Sequence, residues 1–243
     1  MAALVFKPLY AAAGSDVYMG GGSPVQWNTA DIGGGVYCND ATFTVGQKRF
    51  NSNSATSGSG GGVYAVDTIL EMTNPGFYNN DATGSGGGLY RSGGSTALYH
   101  ATISWNDAGG QGGGVYNETL GNSMVVSGSI IANNTATGTG SGVQGGSNID
   151  IVYTLRWQNY YSGTVSLGTG NRVGDPRFFN PSSGDLLYDS AAIDAIPSSA
   201  SHVTIDRVLD SRPQLCGKDM GRDEYAVGLR ELTWVNAPDP VQE

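Results

Sequence analysis

Asp67, Glu71, Arg91 and His100 are the residues of this chain whose types and spacing could carry out catalysis, with Asp107 and Glu118 close behind them. Two carboxylates facing one glycosidic bond act as general acid and base or nucleophile. An acidic cluster with Ca²⁺ and a neighbouring arginine base would instead support elimination from an acidic polysaccharide. Asp67 and Glu71 lie within one repeat, and with Arg91 they could share a face with Asn117 and Glu118. Arg91 reads as one position off the core alignment set by Ala65, and His100 reads as part of an alternating strand. None of these carboxylates recurs at a fixed offset, so ordinary solvated charge is the competing interpretation. No catalytic residue is assigned, and Asp67, Glu71, Arg91 and His100 stand as candidates only.

Whatever positions them is periodic. Gly-Gly-Gly-Val-Tyr occurs three times and Gly-Gly-Gly-Leu-Tyr once, placing Tyr37, Tyr64, Tyr90 and Tyr116 at steps of 27, 26 and 26 residues. A degenerate copy spans Gly140 to Gln144. A second column runs in phase: Ala55, Ala82, Ala108 and Ala136, each preceded two residues earlier by Asn53, Asn80, Asn106 or Asn134. Fixed periods of this length mark repeats that bury their apolar faces only by stacking. A residue that recurs in every repeat therefore serves the stack, and chemistry must be sought where the pattern breaks.

Between the columns lie short β-prone runs at 41–45, 68–72, 97–103 and 124–131, bounded by Gly, Asn, Ser and Pro. No helical period extends over ten residues, and 39 glycines among 243 residues disfavour helices. Three short strands per coil of 26–28 residues predict an all-β, right-handed parallel β-helix with an irregular C-terminal capping segment. In-register stacking makes Asn53, Asn80, Asn106 and Asn134 a structural amide ladder. The glycine runs mark a tight corner, because glycine adopts a left-handed backbone without steric cost. Strand alternation puts Val or Leu inward and Tyr outward, or the reverse. Outward tyrosines would offer Tyr37, Tyr64, Tyr90 and Tyr116 as sugar-stacking binding residues.

Residues 1–30 are expected as an N-terminal cap or irregular first coil, 31–173 as the coils, 174–227 as a capping or flanking segment and 228–243 as a tail. The stretch from Phe77 to Tyr90, with its Phe-x-x-Asn and Gly-Gly-Gly-Leu elements, resembles the repeats of polymorphic outer-membrane proteins. Gly174-Asp-Pro-Arg-Phe, Ser190-Ala-Ala-Ile-Asp194, Arg212-Pro213 and Asp219-Met-Gly-Arg-Asp-Glu224 are similar in order to the closing module of choice-of-anchor β-helix proteins. Arg222 and Ala192 depart from that pattern, which usually has Ala and Pro there. The resemblance covers roughly residues 28 to 227. It implies a bacterial or archaeal surface protein of structural or adhesive role, with polysaccharide-acting enzymes among the fold's other members.

Charged residues make up 14% of the chain and the formal charge is −9, with a pI near 4.5. Repulsion then disfavours nucleic acid and acidic membranes as partners, and no apolar run approaches a bilayer span. The partners expected are further copies of the chain, a polysaccharide or a cell-surface protein. The opening residues lack the features of a signal peptide, so a mature chain or fragment of a secreted protein is expected. Cys38 and Cys216 lack metal-site spacing and form either free thiols or one staple. Asp194, Asp206, Asp210, Asp219 and Asp223 are numerous enough to hold Ca²⁺, against ordinary turn hydrogen bonding; no other cofactor is expected. Thr56, Thr83 and Thr137 form a broken column, read as corner hydrogen bonding rather than a water-ordering face.

Overall fold

The computed structural model describes residues 9–21, 23–118, 123–181, 183–213 and 217–225. They form a parallel β-solenoid of about six turns with no α-helix. Each regular coil contributes four strands, not the three expected. One row holds Val36–Asn39, Val63–Val66, Leu89–Ser92 and Val115–Asn117. The next holds Thr42–Gly46, Ile69–Thr73, Ser95–Tyr99 and Met124–Ser127. The long strand Val143–Val152 pairs with the ends of both rows and joins them into one twelve-stranded sheet. A seven-stranded sheet includes Arg49–Asn51, Gly76–Tyr78, Thr102–Ser104, Ile130–Ala132 and Leu155–Trp157. A five-stranded sheet stacks Thr29–Ala30, Ser54–Ala55, Asp81–Ala82, Asp107–Ala108 and Thr135–Ala136.

The extra strand arises because two of the expected runs turn a corner. His100 (φ 50°) divides the run at 97–103, and Gly128 (φ 65°) divides the run at 124–131. Both belong to a left-handed corner column with Gln47, Asn74 and Tyr153. Residues 9–30 supply a first rung whose strands pair in register with the next coil.

Alternation within each strand sends one residue in and the next out. Val36, Val63, Leu89, Val115 and Val143 fill one interior column, while Phe43, Leu70, Leu98, Met124 and Met72 line the opposite wall. The glycine run has two distinct causes. Gly60 sits at φ +73°, a left-handed corner. Gly62 has an ordinary φ, but a Cβ there would lie 2.5 Å from the carbonyl oxygen of Gly88. The first glycine of each run thus turns the chain, and the last lets adjacent coils approach.

Asn28, Asn53, Asn80, Asn106, Asn134 and Asn159 form a continuous buried ladder. From Asn53 onward each Oδ1 accepts from both the backbone N–H and the amide of the asparagine one coil earlier, as Asn106 does from Asn80 at 3.1 and 2.8 Å. The amide nitrogen also donates to a backbone carbonyl in the earlier coil, for Asn106 that of Phe77 at 3.0 Å. The motif closes a corner whose backbone groups would otherwise be buried without partners.

Among its described residues, the segment from residue 174 flanks the solenoid. It folds back along the outer face of the seven-stranded sheet, reaching from Leu155 down to Gln47, whose carbonyl accepts from Arg222 at 3.1 Å. Ile130, Ala132 and Leu155 pack there against Leu186, Ala192, Ala195, Ile196 and Met220. Both faces of the seven-stranded sheet are therefore buried, which explains strands such as Gly76–Tyr78 that lack any exposed residue.

Candidate functional site

The fold separates the four candidates into different environments. Asp67 is exposed at a left-handed corner (φ 46°). Glu71 is exposed and points outward, in register with Thr44 on one side and Ala97 on the other. Arg91 is wholly buried inside the solenoid. His100 is buried beneath the C-terminal segment. Asp107 faces out on the five-stranded sheet and accepts a hydrogen bond from Thr135. Glu118 accepts from the Tyr90 hydroxyl at 2.8 Å.

Arg91 corrects the sequence alignment. It stands in exact register with Ala65 and Asn117, so it continues the interior column of Ala11, Cys38 and Ala65. Its guanidinium donates to Asn117 Oδ1 at 2.6 Å and to the Gly94 carbonyl. Asn117 passes the chain on to Ser147, whose hydroxyl donates to the Glu118 carbonyl. Burial pulls the Arg91 pKa down. Arg91→Ala is expected to destabilise the protein by about 2 kcal/mol, by leaving a void and an unsatisfied Asn117. The double variant Arg91→Leu/Asn117→Val should recover most of that loss, because apolar replacement of a whole buried polar group is often neutral. Chemical denaturation of the three proteins checks both; a double variant no better than the single contradicts the placement.

His100 is placed at a corner, and its partners come from a segment 100 residues away. Its Nδ1 lies 3.1 Å from the Asp219 carbonyl, which can only accept, so Nδ1 carries the proton. Nε2 then accepts from the Ser201 hydroxyl at 2.8 Å. A serine against an imidazole resembles a nucleophile and base, but burial and the nearby Arg212 and Lys218 push the His100 pKa well below its ordinary value. An imidazole so disfavoured as a cation is a poor base near neutral pH. The pair locks the C-terminal segment to the coils, and no sequence signal could link residue 100 with residue 201.

The lock has a pH signature. The folded state holds His100 neutral, whereas the unfolded chain takes up a proton near pH 6.5. Stability from this group is therefore present above that pH and lost as pH falls below it. Asp219, pushed up to about 7 by burial and by Glu224 beside it, acts in the opposite direction as pH rises from about 4. Since Asp219 is common to both proteins, wild type minus His100→Asn isolates the histidine. That difference should fall with acidity by up to about 1.4 kcal/mol per pH unit below pH 6. Urea unfolding at several pH values measures it, and parallel curves would contradict the buried neutral assignment.

The acidic residues of the C-terminal segment accept hydrogen bonds from its turns. Asp206 accepts the N–H groups of Val208, Asp210 and Glu224. Asp219 accepts those of Asp194 and Tyr225, and Asp194 that of Gly217. Arg212 and Glu224 form a fully buried ion pair at 2.9 Å. Among the described residues no three His, Cys, Asp or Glu side chains converge as a metal-binding group. Cys38 is a buried free thiol in the interior column, its pKa pushed up to about 12 by burial; Cys216 lies outside the described residues.

The repeat tyrosines face outward. Tyr10, Tyr37, Tyr64, Tyr90 and Tyr116 form one stacked row with centroids 4.5–5.4 Å apart and interplanar angles of 1–19°. Because the rings cover one another's faces, Tyr37 and Tyr64 present only edges and hydroxyls to solvent, and Tyr90 is buried with its hydroxyl on Glu118. Those three rings offer no free face to a sugar, whereas Tyr116 stacks on a described ring, that of Tyr90, on one face only. Thr56, Thr83 and Thr137 are exposed, with Thr56 and Thr83 hydroxyls donating to carbonyls of the previous coil.

Compared with known proteins, the chain matches no family model, no curated protein and no solved structure. The fold and the positions of these side chains are what bear on function.

Proposed function

We propose that the chain is a passive structural and adhesive β-helix module, secreted or displayed on a prokaryotic cell surface, whose copies associate end to end. The observation that carries this proposal lies at the ends of the rod. The C-terminal segment covers a side, and among the described residues no further strand pairs with the outer edge of either terminal rung. In the first rung the interior-column residues Val17, Met19 and Val25 are only partly buried, and the last rung exposes Leu167 and Val173. Open strand edges bind further strands, and a contact between unlike ends does not close on itself but grows into a filament. The acidic charge favours a protein or polysaccharide partner over nucleic acid. The resemblance of the repeat and closing motifs to surface β-helices of the polymorphic outer-membrane-repeat or choice-of-anchor type supports this reading.

The separation of Asp67, Glu71, Arg91 and His100 weighs against the alternative of a polysaccharide-acting enzyme. Sedimentation velocity over a concentration series tests association: mass should rise in steps of the 25.1 kDa chain. Leu167→Lys/Val173→Lys at the open end should suppress the rise while preserving the monomer's circular dichroism. A chain that stays monomeric at every concentration overturns the proposal. Release of oligosaccharides from polysaccharides, with or without Ca²⁺, would establish the enzymatic alternative instead.

A further inference from the structure

The five-stranded sheet stops before its neighbours do, and the reason is a deletion in the last coils. From ladder asparagine to the next tyrosine-row strand the chain takes nine residues between Asn106 and Val115, and nine between Asn134 and Val143. Between Asn159 and Tyr161 it takes two. The short strand and glycine turn that would form the next rung are missing. Their place is an open notch of about 610 Å³ beside Thr135–Ala136.

The notch is chemically distinctive. All of its lining residues are uncharged, in a protein of net charge −9. On the floor, the carbonyls of Ala136 and Gly138 continue two columns that are hydrogen-bonded in the preceding coil. There, Ala108 accepts from the Thr137 N–H at 3.0 Å and Gly110 from the Gly138 N–H at 2.7 Å. No following strand of that sheet exists among the described residues to donate to Ala136 and Gly138. Thr139, whose hydroxyl donates to Gln144 at 2.7 Å, and Gln158 add polar groups on the walls. Tyr160 stands at the rim, 76% exposed. Its backbone is fixed, since its N–H donates to Ser141 Oγ at 3.0 Å and its carbonyl accepts from Gly142 at 2.9 Å. Unlike the tyrosines of the stacked row, it pairs with no other described ring.

We propose that this notch binds an uncharged saccharide, with one sugar ring on the face of Tyr160 and its hydroxyls donating to the floor carbonyls. A few convergent polar groups and one aromatic platform in an open cleft suit a ligand rich in hydroxyls and poor in charge. A strand from another chain would fit the length of the gap, but in the earlier rungs the position of Tyr160, just before the tyrosine-row strand, is glycine: Gly88, Gly114 and Gly142. The saccharide uses Tyr160; a strand does not need it. The inference rests on the passive reading only in that bound sugar is not cleaved.

The test is a titration of the isotopically labelled full chain, followed by NMR, with neutral hexasaccharides of glucose, xylose and N-acetylglucosamine. Hexagalacturonate serves as a charged comparison and the peptide Gly-Thr-Ala-Thr-Gly as a strand mimic. At least one neutral hexasaccharide should shift the resonances of residues 135–141 and 158–162. Tyr160→Ala should weaken that binding at least tenfold, and Tyr188→Ala, an exposed tyrosine elsewhere, should leave it unchanged. The proposal is overturned if no neutral hexasaccharide shifts these residues, if only hexagalacturonate or the peptide does, or if Tyr160→Ala binds as well as wild type. Cleavage of a bound hexasaccharide would keep the notch as a saccharide site and overturn the passive reading, whereas failure to bind leaves the end-to-end reading standing.

Discussion

Removing everything after Val173 is expected to abolish the folded state at 25 °C. The seven-stranded sheet would then expose Tyr78, Ile130 and Leu155, all fully buried in the intact chain. Burying side chains of this size stabilises by roughly 1.5–3 kcal/mol each. Losing three therefore costs about 6 kcal/mol, comparable with the 5–15 kcal/mol that holds a typical domain together. The hydrogen bonds from the segment to the corner column, among them Asn74 to Ile205 at 2.9 Å and those of His100, would also be lost. The truncated chain should be insoluble or bind a hydrophobic dye, since a bare apolar sheet face is an association surface. A soluble truncated protein with an unchanged melting temperature would show that the segment is an accessory and not part of the folding unit.

Asn106→Ala is expected to cost about 4 kcal/mol. Asn106 sits mid-ladder with no exposed surface, and its side chain makes five hydrogen bonds. Alanine leaves the Asn80 N–H and the Phe77 carbonyl without these partners, and each buried orphan costs about 1–3 kcal/mol. Asn28→Ala, at the start of the ladder, should cost about 1 kcal/mol, because no described rung lies beyond it. Chemical denaturation of the two variants reads the contrast directly. Equal losses at the two positions would mean that the ladder is a set of independent contacts and not a continuous structure.

What was legible in the sequence was whatever repeats in register. Tyrosine, glycine and asparagine recur because each coil meets the same environment, so identical positions select identical residues. The corner at Gln47, Asn74, His100, Gly128 and Tyr153 is not legible because five different residue types occupy one left-handed column. That hidden corner is why His100 read as strand. Arg91 escaped because a buried arginine breaks the apolar alternation that would have marked its column, although its register with Ala65 places it there. The docking of the C-terminal segment is illegible for a simpler reason: its hydrogen bonds to the corner column span about 90 to 175 residues with no period to reveal them. The notch is visible in the sequence only in hindsight, as the short interval between Asn159 and Tyr161.

We propose above that copies of this solenoid associate end to end. Negative-stain electron microscopy of the purified chain across a concentration series tests it most directly. Seven rungs at roughly 4.8 Å give a subunit about 34 Å long. Filaments or linear arrays with an axial repeat near that length, growing with concentration, are the expected result. Discrete short particles at every concentration would contradict the claim.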